Sequence, residues 1–118
     1  MDTLRVPSVF ESDLLELLLN QEFPGAPELR AQLPDLEVAS IDADGSLSLY
    51  PRPDSPVARV DKRVPAEGAY LDNDGMRVHV LVHVVDGRLQ ELELYREDGK
   101  TVNRQLISLP NDLVLDLW

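Results

Sequence analysis

The run from Ala66 to Gly99, AEGAYLDNDGMRVHVLVHVVDGRLQELELYREDG, alternates apolar and polar residues with a period of two. Asn73-Asp74-Gly75 and Asp86-Gly87 cut it into three pieces. Period two is the signature of a strand with one buried face, and Asp-Gly between two such runs is a hairpin signal. Three consecutive antiparallel strands are therefore predicted, and the remainder of the chain must pack against one side of them.

The pattern also constrains the register of the second hairpin. With a two-residue turn at Asp86-Gly87 and regular pairing, Val82 would face Glu91 and Val80 would face Glu93, placing carboxylates beside valines on a buried surface. A three-residue loop, Val85–Gly87 with Gly87 left-handed, shifts the pairing by one. Val78, Val80, Val82 and Val84 then share a face with Leu92 and Leu94. His79 falls opposite Glu93 and Leu81 opposite Glu91 on the other face. A slip of one residue exchanges the two faces completely, so the second register is predicted.

Before this run, SVFESDLLELLLNQEFPG reads as a helix. Ser8 and Glu11 have capping-box spacing, and Pro24-Gly25 ends the segment. Phe10, Leu14, Leu17 and Leu18 make the expected inward stripe. Leu15 and Leu19 widen it, either towards further core or towards a partner surface. PELRAQL forms a short second helix opened by Pro27 and stopped near Pro34. LEVASIDADGSLSLYP reads as a hairpin turning through Asp42 to Gly45. The prolines of residues 51–63 favour an irregular loop, and NDLVLDLW alternates as a closing strand would. The predicted fold is one α+β domain over residues 1–118. One or two N-terminal helices (about 8–33) pack on a single antiparallel meander sheet of about five to six strands (about 36–118).

Charge narrows the partners. There are 22 acids against 11 bases, a net charge of −11. Residues 1–58 hold 11 of the acids and only three of the bases. Such a field repels phosphate backbones and anionic lipid and attracts basic surfaces. Nucleic acid and membrane are not expected partners. The absence of cysteine excludes disulfides, thiolate metal sites and cysteine nucleophiles. The N-terminus lacks a basic segment followed by an uninterrupted apolar one, so a cytoplasmic location is expected.

Candidate chemistry is sparse. His79 and His83 share a strand face but lie about 13 Å apart at strand rise, too far to chelate one ion together. Each is expected to pair with a neighbouring acid. The sequences around Asp42–Gly45 and Asp72–Gly75 resemble calcium loops, but neither supplies the closing glutamate, and both read as turns. Glu91 and Glu93, about 7 Å apart along one strand face, have the spacing of a carboxylate pair. They would need a desolvated cleft for acid/base work, and a solvated or partner-facing surface is the expectation. No metal site, cofactor site or catalytic constellation is predicted.

LLELLL, DADGSLSLY, LDNDGMRVHVLV and DGRLQELELYRED together resemble a family of short acidic bacterial proteins. That family is similar to the immunity proteins of polymorphic toxin and contact-dependent inhibition systems. The resemblance spans about residues 8–98. It implies a small, non-enzymatic protein that blocks the active site of a cognate toxin domain by binding it. The expected partner is a basic protein toxin, bound by a chain that is monomeric on its own. Complementary charge would supply association rate and specificity. Candidate contacts are Asp35, Glu37, Asp42 and Asp44 in the acid-rich half and Glu91 and Glu93 on the strand. Tyr50, Tyr95 and Trp118 are candidate anchors, with a core position as their ordinary alternative. An acidic secretion chaperone and a small enzyme are the alternative readings.

Overall fold

The valines at 78, 80, 82 and 84 organise the molecule. In the computed structural model, which describes residues 3–104 and 106–117 (side chains of 116 and 117 excepted), all four lie in one buried cluster with Leu89, Leu92 and Leu94. The strands are β1 (Glu37–Ser40), β2 (Leu47–Tyr50), β3 (Ala66–Leu71), β4 (Arg77–Val85), β5 (Arg88–Arg96) and β6 (Val114–Leu117). They form one antiparallel sheet in the order β1-β2-β5-β4-β3-β6. The meander β3-β4-β5 is thus flanked by the β1-β2 hairpin on one side and by β6 on the other. The fold is α+β, as the sequence predicts. Trp118 lies outside the described residues.

Two helices cover one face of the sheet. Helix α1 (Val9–Leu19) opens with the full capping box. Ser8 Oγ accepts from Glu11 N–H, and the Glu11 carboxylate accepts from Ser8 N–H. The same carboxylate takes both guanidinium nitrogens of Arg5 at 2.7 and 2.9 Å. The Arg5 backbone in turn exchanges two hydrogen bonds with Val38, covering part of the β1 edge. Leu14, Leu15, Leu18 and Leu19 are all fully buried. The helix is therefore turned relative to the predicted stripe: Phe10 and Leu17 sit at its margin, while Leu15 and Leu19 belong to the core. Four leucines at i, i+1, i+4 and i+5 give a broader contact than a single row, as burial against both α2 (Ala26–Arg30) and β3 requires.

The β4-β5 hairpin differs from the expected one in an instructive way. The connection is the two-residue turn Asp86-Gly87, with φ of 52° and 77°, the positive values such turns require at both central positions. The faces nevertheless sort as predicted, because a β-bulge follows. Val84 pairs with Leu89 but His83 pairs with Glu91, leaving Gln90 as the extra residue. Past the bulge, Val82 faces Leu92 and Val80 faces Leu94. His79 faces Tyr95, not Glu93, and Leu81 faces Glu93, not Glu91. A bulge and a three-residue loop both restore the parity that buries the valines, but they differ by two residues in partner identity.

The irregular segment 51–63 is strapped down. Gln32, fully buried, donates its amide to the carbonyls of Pro56 and Gly87 and accepts from Leu89 N–H. Arg88 donates to the carbonyls of Arg52, Pro53 and Ser55. Ala58 N–H bonds to Gly87 O at 2.9 Å, and a Cβ on Gly87 would lie 2.4 Å from Ala58 O, so this position demands glycine for space as well as for φ. Replacing Gln32 by Leu would leave the buried Leu89 N–H without its acceptor and the Pro56 carbonyl without its donor, while Gly87 O keeps Ala58 N–H. We expect it to lower unfolding free energy by about 1–3 kcal/mol, measured by urea titration, and to expose residues 51–63 to limited proteolysis.

Candidate functional site: the uncovered face of the sheet

Alternation along the strands sends a second set of side chains to the face opposite the helices. Glu37 and Tyr50 pair across β1 and β2, Ser48 faces Glu91 across β2 and β5, and Glu91, Glu93 and Tyr95 follow along β5. Arg77, His79, Leu81 and His83 project from β4, and Glu67, Ala69 and Leu71 from β3. Tyr50 is 49% exposed and Tyr95 39%.

His83 is the most constrained group on this face. Arg63 Nε, which can only donate, points at His83 Nδ1 at 3.1 Å. Nδ1 therefore carries no proton; Nε2 carries it and donates to Glu93 Oε1 at 2.7 Å. The Arg63 backbone is itself held, its carbonyl accepting from Val84 N–H beside the bulge. One ligand-type atom from each of His83, Glu91 and Glu93 lies within 4.8 Å of the other two. His79 pairs separately, with Glu97 at 3.3 Å, and its ring stacks on Tyr95 with centroids 4.9 Å apart. Each histidine thus has its own acid, as expected, but the acids differ from those the predicted register supplies. The Tyr95 phenol is pushed above its usual range by partial burial and by the charges of Glu93, Glu67 and Glu97. The carboxylates of Glu67, Glu93 and Glu97 therefore all act on this ring.

The other predicted contact residues scatter. Asp35 sits at a positive φ of 60° and pairs at the surface with Arg52. Asp42 Oδ1 caps the β1-β2 turn by accepting from Asp44 and Ser46 N–H. Asp44 accepts from Val102 N–H at 2.7 Å and lines a cavity of about 160 Å³ beside Tyr70 and Arg104. Glu37, Tyr50, Glu91, Glu93 and Tyr95 share the open face; Asp42 and Asp44 have local structural work instead.

Sequence reasoning also passed over the strongest electrostatic feature. Arg96 is 3% exposed and donates through all three guanidinium nitrogens to Asp72, Asp74 and Asp98. The Asp72 carboxylate also accepts from the backbone N–H of Asn73, Asn103 and Arg104. Despite its burial, these donors hold Asp72 below the usual carboxylate range. Asp98 is lowered to about 2, chiefly by its hydrogen bond from Arg96. All the carboxylates displaced among the described residues, including Glu11 and Asp112, move downward and so are held as anions. A general acid would need the opposite shift. Among the described residues, no helix is long and apolar enough to cross a membrane.

Residues 4–107 match the sequence profile described as Domain of unknown function (DUF6984). The chain belongs to the DUF6984 family. No curated protein and no solved structure matches it. The matched span runs from the strand-like N-terminal segment through the helices, β1 to β5 and the Asp72-bound residues 103 and 104, and it ends before β6.

The Arg96 cluster has a definite pH signature. Its carboxylates are favoured as anions in the folded state, so their stabilisation is complete above the unfolded value near 3.8 and is lost as pH falls through about 2. Thermal melts followed by circular dichroism should therefore show stability falling between about pH 4 and pH 2. Arg96→Gln should melt roughly 10 °C lower or more at pH 7, and its gap from the wild type should narrow towards pH 2.

Proposed function

We propose that this chain is a non-catalytic binding protein whose uncovered sheet face engages a basic protein, in the manner of an immunity protein neutralising a toxin domain. The observation that carries the reading is the asymmetry of the sheet. One face is filled by leucines of α1 and α2, while the other presents Tyr50 and Tyr95 among Glu37, Glu67, Glu91, Glu93 and Glu97. Aromatic side chains with few rotatable bonds, set in a field of one sign on a rigid β-scaffold, suit recognition. The tyrosines can anchor, and the carboxylates can steer a cationic partner and set its register. A cytoplasmic location and a monomeric free state accompany this reading.

The test uses charge reversal on each side of the sheet. Wild-type chain, Glu91→Lys/Glu93→Lys and the helix-side control Glu16→Lys would serve as baits in lysate of the native host. A basic protein recovered by wild type and by the control, but bound at least about tenfold more weakly by the double variant, is expected. Co-expression of the wild-type chain should also relieve the growth arrest that the recovered protein causes. Equal recovery by all three baits, or a captured protein whose expression harms no cell, would sink the reading.

A further inference from the structure

We propose that His83, Glu91 and Glu93 form a binding site for a borderline divalent transition ion, with Zn²⁺ as the reference case. The donors converge from two paired strands, and their ligand atoms lie within 4.8 Å of one another. Donors on a tetrahedral zinc ion, at about 2.0–2.2 Å from the metal, stand roughly 3.3–3.5 Å apart. Small side-chain rotations reconcile the two: the His83 Nε2–Glu93 Oε1 pair, 2.7 Å apart, opens by less than about 1 Å to admit the ion, and any wider separation in the set closes. One imidazole with two carboxylates, leaving a fourth position for water, suits a borderline ion. Mg²⁺ and Ca²⁺ prefer shells built of oxygen alone.

The β-bulge is what assembles this set. Without the extra residue Gln90, regular pairing from the Asp86-Gly87 turn would put Glu91 opposite Val82. With it, Glu91 stands directly across from His83 and Glu93 lies diagonally beside it, two residues along the same strand face. Bulges commonly re-aim side chains at functional positions. The chain's net charge of −11 adds a long-range attraction for cations.

Arg63 sets the terms of binding. Its hydrogen bond to Nδ1 holds the tautomer in which Nε2 is protonated. Metal on Nε2 requires the other neutral tautomer, with the proton on Nδ1, so Arg63 must swing away as the ion enters. No proton is gained or lost overall by the ring. Arg63 is an exposed side chain, so its displacement costs little. His79, paired with Glu97 outside this three-donor group, provides an internal control.

The test is calorimetric titration of the full chain with Zn²⁺ alone, and with Mg²⁺ for comparison. Saturable binding of one Zn²⁺ per chain is expected, with no matching Mg²⁺ uptake. His83→Ala and the shape-preserving Glu93→Gln should each weaken Zn²⁺ binding by about tenfold or more. His79→Ala should leave it unchanged, and Arg63→Ala should strengthen it. Circular dichroism would confirm that each variant is folded. Absence of saturable Zn²⁺ uptake, uptake indifferent to both His83→Ala and Glu93→Gln, or binding weakened by Arg63→Ala overturns the proposal. Because only the isolated chain and metal are used, the result is independent of the partner-binding reading.

Discussion

Asp72 and Arg96 form a buried ion pair at one end of the sheet, and three separate pieces of chain take their position from it. Arg96 closes β5 on the helix side, opposite Val78. Asp72 directly follows β3, with its side chain wholly inaccessible. Residues 103 and 104 reach Asp72 through their backbone N–H groups. A charge removed from water this completely is tolerable only when its hydrogen-bonding capacity is used, and here it is. The guanidinium donates five hydrogen bonds and the Asp72 carboxylate accepts four. Such a pair adds little net stability over apolar packing, but it admits few alternative geometries. It fixes where the β3-β4 turn, the end of β5 and the following segment meet.

This interaction gives the Asp-Gly turns a second meaning. As sequence, LDNDG and REDG announce reversals, because aspartate caps its own turn and glycine accepts positive φ. As structure, the first and third residues of DNDG and the aspartate of REDG also surround one arginine. Asp44 plays a related part at the β1-β2 turn, reaching across to Val102 N–H. The loops at this end of the sheet are bound to one another, while at the opposite end Gln32 and Arg88 bind the 51–63 segment.

Local spacing made much of this legible. Ser8 and Glu11 cap the first helix, the valines of β4 define the core face, and the three aspartate-glycine reversals fall where they were expected. What spacing could not supply was identity across distance. Period two says which face Glu93 occupies, but its histidine partner depends on whether parity is restored by a longer loop or by a bulge, and both bury the same valines. Nor does periodicity announce that Gln32 and Arg96, polar residues in unremarkable positions, would find their partners 55 and 24 residues away. Gln90 next to Glu91, two polar residues in succession within an alternating run, was the available sign of the bulge.

The two margins of the sheet are finished differently. At β1 the backbone of Arg5 continues the pairing, and its side chain ties that margin to the start of α1. At the other side β6 adds to β3, which needs Gly68, because a Cβ there would lie 2.7 Å from Val114 O. Asp112 reinforces the junction by accepting from Leu71 N–H and pairing with Arg104. The family match ends at residue 107, after the Asp72-bound residues and before this strand. The Asp72–Arg96 pair therefore closes the part of the fold that the family profile covers. β6 is laid onto the result, extending the open face by Val114, 63% exposed beside Ala69. That face thus runs from Val114 on β6 to the histidine and glutamates of the bulged hairpin.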